Sequence, residues 1–317
     1  MRNRDLVSKA HAAIMALHEA SSEADEPPLE VKTEALVVPK SLKPPTYPEA
    51  FWSVRKGPPV TKIFSDSDNH YPLNDPRVEA AKIAFIRDVR PDLHVNAGDQ
   101  YDLHHLSSFP KEPARLLDYD ARLQAEFDAA QPYWREISRI VPESHLILGN
   151  HEERLARLVK LNIGLFDLRA LQWQVLADLP KTVQVHPYGT RLKVGELTFE
   201  HGDRVGGRYG ARHPSDWLLI NKPCRNTIFG HSHKLSAEHR TIWEWTEDAM
   251  QPVVYGAWNQ GHGCDSVKQL DWSPDCNWTN GFTYVEVFSG GFTVHQIPVI
   301  FGKFSFGGRV YDGRKCM

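Results

Sequence analysis

Two short strings carry most of the chemistry this chain offers: Gly149-Asn150-His151-Glu152 and Gly230-His231-Ser232-His233. Asp68-Asn69-His70, Gly98-Asp99 and His201-Gly202 stand with them in chain order, most of them at the end of an apolar run. Carboxylate, amide and imidazole groups in such combination bind divalent cations through mixed oxygen and nitrogen ligands. Two such cations, about 3.5–4 Å apart, neutralise the charge of a phosphate ester and generate hydroxide at neutral pH. A centre of that kind needs one carboxylate able to bridge and an open side for substrate.

The spacing supplies such a set. Asp68 and His70 are two residues apart, as are His231 and His233. In an extended strand end, each pair shares a face. Asp99 follows a glycine, where the backbone can turn sharply and present the carboxylate to both ions. Asn150 supplies a neutral amide oxygen and His201 a further imidazole. The first motif reads Ser65-Asp66-Ser67-Asp68-Asn69-His70, so Asp66 and Asp68 both stand as candidates for its carboxylate.

In this order the motifs resemble the calcineurin-like metallophosphoesterase superfamily, whose pattern runs D-x-H, G-D-x-x-D, G-N-H-[DE], H-G, G-H-x-H. The resemblance covers about residues 61–297. It implies an α/β fold, a four-layer α/β-β/α sandwich, and two divalent ions, for which manganese, iron or zinc would each accept these ligands. It assigns Asp68, His70 and His233 to one ion, Asn150, His201 and His231 to the other, and Asp99 to both. His151 would face the substrate and protonate the leaving oxygen. Asp102, which completes Gly98-Asp99-Gln100-Tyr101-Asp102, would orient that imidazole. An apolar strand followed by Ser and the ligand Asp fits Asp66, whereas the D-x-H spacing fits Asp68. The run His70-Tyr71-Pro72 with Asp75-Pro76 resembles the H-x-P-x-x-D-P of phage and bacterial members and favours Asp68. Leu103 stands where the protein Ser/Thr phosphatase branch has Arg, which argues against a phosphoprotein phosphatase.

The elements that must position these residues read as strand, polar loop and helix, repeated. Lys62-Ile63-Phe64 precedes a helix over 76–88; Leu93-His94-Val95 precedes one over about 114–140; His145-Leu146-Ile147-Leu148 precedes one from about Glu152. Three such units predict a layered α/β domain with ligands at the carboxyl ends of its strands. Apolar runs at 183–185, 191–194, 197–199, 253–255 and 284–287 predict a second, more antiparallel sheet. The main domain spans 59–300. Before it, 1–58 reads as a helix over 1–20 and a Pro- and Glu-rich linker; after it, 301–317 reads as a flexible tail or a partner contact.

Composition narrows the rest. The net charge of −3 gives no global field to attract a polyanion. No apolar run is long enough for a membrane span, and the N-terminus lacks the apolar centre of a secretory signal. Cys224, Cys264, Cys276 and Cys316 form no framework, which fits reduced thiols in a cytoplasmic protein. Arg204, Arg208 and Arg212 recur in a Gly-rich segment after His201, where Arg204 and Arg208 could clamp phosphate oxygens. His104 and His105 are placed for substrate contact or as ordinary loop residues. His94, His145 and His186 read as structural, and His262 could line the mouth of the cleft. Trp258, Trp272 and Trp278 fit packing better than base stacking. The sequence therefore points to a phosphodiesterase acting on nucleic acid or nucleotides. A phosphomonoesterase or nucleotide pyrophosphatase is the alternative, and an inert scaffold or nucleic-acid-binding module the reading of a different class.

Overall fold

The structure, a computed structural model, describes residues 49–52, 60–106, 119–161, 171–222, 225–245, 249–269 and 277–315. The helix expected over 1–20, most of the linker, Trp272, Cys224, Cys276 and Cys316 lie outside these residues, as does the side chain of His105.

The strands are β1 (Glu49–Trp52), β2 (Val60–Asp66), β3 (Leu93–Asn96), β4 (Glu143–Ile147), β5 (Val183–His186), β6 (Arg191–Val194) and β7 (Leu197–Glu200). They continue as β8 (Asn226–Phe229), β9 (Leu235–Trp245), β10 (Met250–Gln260), β11 (Gly281–Phe288), β12 (Gly291–Pro298), β13 (Lys303–Phe306) and β14 (Arg309–Asp312). The helices are α1 (Pro76–Val89), α2 (Tyr119–Ile140), α3 (Asn150–Leu161), α4 (Trp173–Leu176), α5 (Gly207–Arg212), α6 (Pro214–Asn221) and α7 (Ser266–Gln269). One six-stranded sheet runs β12-β11-β2-β3-β4-β5 and the other β1-β6-β7-β8-β10-β9.

Period-two patterning explains how the sheets sort their side chains. Ile63, Val95 and Ile147 join a core with Leu192, Val194, Phe199 and Ile228 of the second sheet. Their neighbours Phe64 and Leu146 pack instead with Phe85 and Ile86 of α1 and Trp134 and Ile137 of α2. Behind the second sheet, Leu218 and Leu219 of α6 meet Phe229 and Ala257. The layers are thus helix, sheet, sheet, helix, the four-layer sandwich expected from the sequence. The helix starts are equally local in origin. Asp75 caps α1 by accepting the N–H groups of Arg77 and Val78, and Pro76 occupies the first turn. No helix among the described residues is long and apolar enough to cross a membrane.

Two expectations need correction. The runs at 183–185 and 284–287 belong to the first sheet, as β5 and β11, and the second sheet is mixed. In it β6–β7 and β9–β10 are antiparallel, while β7–β8 and β8–β10 are parallel. Alternation identifies a strand but not its neighbour. Residues 303–312 are not a tail either. They form the β13–β14 hairpin, whose Phe304 and Tyr311 rings lie 5.7 and 5.4 Å from that of Phe85 in α1. The Tyr311 hydroxyl donates to Asp88 at 2.9 Å.

Phe85 also meets Phe282, Tyr284 and Phe306, so it joins the first sheet, α1 and the terminal hairpin. Phe85→Ala should cost about 3–5 kcal/mol in urea unfolding. A loss below about 1 kcal/mol would mean that this core closes over the gap and that the hairpin contributes little.

Candidate metal centre

Five loops that follow strand ends carry the motifs. Asp68 and His70 follow β2, Asp99 follows β3, Asn150 and His151 follow β4, His201 follows β7, and His231 and His233 follow β8. The paired residues do not share an extended face as the spacing suggested. Asp68, His70, Asp99, His231 and His233 all have left-handed backbone, with φ of 53°, 50°, 51°, 70° and 58°. Each such residue costs roughly 1–3 kcal/mol and persists only where its surroundings fix it. The fixing bonds are present. Asp68 N–H donates to Gly98 at 2.9 Å, His70 N–H to Asp99 at 3.0 Å, and Gly230 N–H to His201 at 3.0 Å. His231 N–H donates to the Asp68 carboxylate at 2.8 Å.

Close approach of these loops demands two of the motif glycines. A Cβ on Gly149 would lie 2.2 Å from Asp99 Oδ1, and one on Gly230 would lie 2.3 Å from Asp68 Oδ2. Any side chain at either position would displace a carboxylate.

The side chains converge in two groups. In the first, ligand atoms of Asp68, His70 and His233 lie within 4.8 Å of one another; in the second, those of Asp99, His201 and His231 do. His233 Nε2 is 3.4 Å from Asp68 Oδ1 and 3.0 Å from His70 Nε2. His201 Nε2 is 2.9 Å from Asn150 Oδ1 and 3.3 Å from Asp99 Oδ2. Asp99 Oδ2 is also 4.0 Å from His70 Nε2 and 3.8 Å from His151 Nε2.

The donor chemistry fits cations. His201 Nδ1 faces the Ala97 carbonyl at 2.8 Å, which assigns a proton to Nδ1; Nε2, facing the Asn150 oxygen at 2.9 Å, then carries either a second proton or a cation. His70 Nδ1 faces the Asp102 carboxylate at 3.1 Å, which likewise assigns a proton to Nδ1 and leaves Nε2 facing His233. Nδ1 of His231 is buried without a hydrogen-bond partner. Each of these facing pairs needs a positive charge between its atoms, which a proton or a bound cation can supply.

The electrostatics of these groups follow from burial and crowding. Burial raises the Asp68 carboxyl, but the hydrogen bond and charge of His233 outweigh it and hold the group at about 2. Burial lowers His201, yet the Asp99 charge and hydrogen bond carry it to about 10. His231 is pushed down to about 4 by burial and by His201. For His151, the charge of Asp99 and the Asp102 hydrogen bond overcome burial and raise the imidazole.

Asp66 is committed elsewhere. It is fully buried, 3.2 Å from Lys82 Nζ, and accepts from Asn69, Asn96 and Tyr133 at 3.1, 3.1 and 2.9 Å. His94 completes that shell at 3.1 Å. Of the two carboxylates in the first motif, only Asp68 faces the imidazoles of the cluster.

No protein-family model matches the chain. It is 23% identical over 257 residues to the Gene 54 protein of Mycobacterium phage D29, covering 79% of this chain and 98% of the phage protein. The Gene 54 protein of Mycobacterium phage L5 is 24% identical over 259 residues with the same coverage. Among solved structures, wild-type Vps29 from Entamoeba histolytica, complexed with zinc, is 12% identical with a TM-score of 0.40, covering 80% of this chain and 99% of that one. YfcE, a phosphoesterase from E. coli, is 14% identical with a TM-score of 0.35, covering 74% and 99%.

The other expected residues divide. His151 joins the cluster: its N–H donates to Asp99 Oδ1 at 3.0 Å, and its Nδ1 lies 2.5 Å from the Asp102 carbonyl and 3.4 Å from the Asp102 carboxylate. The Gly-rich segment after His201 ends in a short helix, α5. Arg208 and Arg212 are exposed on it. Arg204 turns toward Tyr188, 5.9 Å above its ring, and lines a small groove with His201, Gly202 and Lys222. His104 lies in a short turn, His104–Leu106. His145 and His186 stack on each other at 5.0 Å. Trp258 is in the inter-sheet core. His262 is fully buried rather than at the mouth of the cleft.

Three residues stand out to which sequence reasoning gave no role, Glu152 of the Gly149–Glu152 motif among them. Glu152 accepts the N–H groups of Asp99, Tyr101 and Gly149 at 3.0, 2.9 and 2.8 Å, and burial with the Asp99 charge pushes it to about 7. Arg154, one turn after His151, donates to the Asp102 carbonyl at 3.1 Å. Lys82, in the middle of an amphipathic helix, holds both Asp66 and Asn69 at 3.2 Å. The i,i+3 spacing of His151 and Arg154 was the available signal for the second; a lysine on the apolar face of α1 was the signal for the third.

Lys82→Met leaves the Asp66 carboxylate buried without its cation. Urea unfolding should register a loss of roughly 3–5 kcal/mol, partly recovered in the Asp66→Asn, Lys82→Met double variant. Equal stability of the single variant and the parent would show that Asp66 needs no charge partner.

Proposed function

We propose that the protein is a dinuclear metal-dependent phosphoesterase, acting on phosphodiesters of the nucleic-acid or nucleotide class. One observation carries this reading: Asp99 Oδ2 lies 3.3 Å from His201 and 4.0 Å from His70, so a single carboxylate reaches both ligand groups. With the resemblance of the motifs to the metallophosphoesterases, that makes Asp99 the shared ligand. Asp68, His70 and His233 would hold one ion, and Asn150, His201 and His231 the other. Bound there, manganese, iron or zinc supplies charge neutralisation at the phosphate and acidifies water.

The remaining work falls to side chains of this chain. Hydrolysis adds water across the P–O ester bond, and the departing alkoxide oxygen needs a proton. His151 would give it. Its Nδ1 is fixed on Asp102, which turns Nε2 toward Asp99 on a partly exposed side of the cluster. Arg154 secures the Asp102 carbonyl from behind. Three features support a diester substrate: Leu103 in place of the phosphatase Arg, the Arg204 and Arg208 cations beyond His201, and the phage-type run from His70 to Pro76. A cytoplasmic location belongs to the same reading, in line with the buried Cys264 thiol.

Manganese-reconstituted protein should hydrolyse bis-p-nitrophenyl phosphate in preference to p-nitrophenyl phosphate. Asp99→Asn should lose both bound metal and turnover. His151→Gln should keep its metal while kcat falls by about 10²–10⁴. A preference for the monoester would reject the diesterase assignment, and full activity in Asp99→Asn would reject the dinuclear one.

A further inference from the structure

Against His233 lies a second set of donors that the hydrolytic reading does not use. His262 and Cys264 are fully buried, and one ligand atom from each lies within 4.8 Å of one from His233. His262 Nδ1 is 2.8 Å from Cys264 Sγ. The His233 and His262 rings run nearly parallel, 24° apart with centroids separated by 5.1 Å. Trp278 closes one flank, 4.3 Å from the His233 ring and 5.9 Å from that of His262.

Two details turn this cluster into more than packing. The Nε2 of His233 is engaged with His70 and Asp68, whereas its Nδ1 is buried with no hydrogen-bond partner. His233 is only 5% exposed, so water does not relieve that nitrogen. The surrounding backbone is also pinned from both sides. Gly263 N–H donates to Asp68 at 3.0 Å, Thr279 N–H to His233 at 2.9 Å, and Gly281 N–H to His262 at 3.0 Å. Asn280 donates to the Cys264 carbonyl at 2.8 Å. The set is built rather than incidental.

We propose that His233, His262 and Cys264 form a third metal site for a thiophilic ion such as zinc, sharing the His233 imidazole with the dinuclear centre. One thiolate and two imidazoles are the donors that suit zinc, and no carboxylate of the cluster competes for a harder ion. Binding forms a metal–sulfur bond and two metal–nitrogen bonds. It releases two protons to solvent, one from the Cys264 thiol and one from His233, which becomes an imidazolate between two ions. Lys82 Nζ lies against Gly263, placing a cation beside the new thiolate. With both new donors fully buried, the ion enters as the chain folds.

The test is the full-length protein produced in cobalt-supplemented minimal medium. The wild type should show a sulfur-to-cobalt charge-transfer band in the near ultraviolet and one more ion per chain than Cys264→Ser. Asp99→Asn should lose the dinuclear ions yet keep the sulfur band. Should Cys264→Ser fail to fold, X-ray absorption at the zinc edge of zinc-loaded wild type decides, with a sulfur shell expected at about 2.3 Å. Cobalt uptake without any sulfur band overturns the third site and leaves the dinuclear reading intact. A protein that takes up no metal overturns both.

Discussion

Everything in the proposed centre hangs on the placement of one carboxylate. Asp99 is 2% exposed, its oxygens reach His201, His70 and His151, and its N–H is held by Glu152. Such a group is costly to bury unless positive charge surrounds it. The imidazoles supply part of that charge, and the proposed ions would supply the rest. Glu152 adds to the constraint rather than relieving it. It ties the loop after β3 to the loop after β4, so that Asp99 and Asn150 cannot move independently.

The left-handed backbone at five cluster residues shows where the fold spends its stability. Strands and helices behind the site are ordinary, with alternating cores. Strain is confined to the loops, where it aims side chains that an extended chain would send elsewhere. The Asp66–Lys82 pair sits directly beneath the first of these loops and grips it through Asn69, which lies between Asp68 and His70. A buried ion pair contributes little net stability by itself. Its value here is positional, because Asn69 donates to Asp66 and Gln100 and accepts from Lys82 at the same time.

Much of this was legible in the sequence, and the failures share a physical cause. The strand–loop–helix units and the motif residues were visible because periodicity and residue type are local. The wrong sheet for β5 and β11 came from a property that is not local, since a strand carries no mark of its neighbour. The hairpin at 303–312 was missed for the same reason: Phe304 and Tyr311 look like stray aromatics until Phe85 is seen opposite them. D-x-H spacing brought Asp68 and His70 into one group, though through the wrong geometry, whereas His231 and His233 of the H-x-H fall in different groups. Alternation along a strand and two left-handed turns both bring i and i+2 together, and the spacing does not distinguish them.

His262 illustrates a further limit. The sequence allowed it at the mouth of the cleft, yet its neighbour Gly263 serves close packing: a Cβ there would lie 1.8 Å from the Asn69 side chain. The segment from Gly261 to Cys264 is therefore pressed against the same loop that carries Asp68 and His70. Whatever occupies the His233–His262–Cys264 cluster acts on the back of a proposed metal ligand through one shared ring. A rigid imidazole transmits both position and charge, so the two clusters cannot be electrostatically independent. That link is the reason a buried thiol behind the proposed hydrolytic centre would bear on how firmly the centre holds its ions.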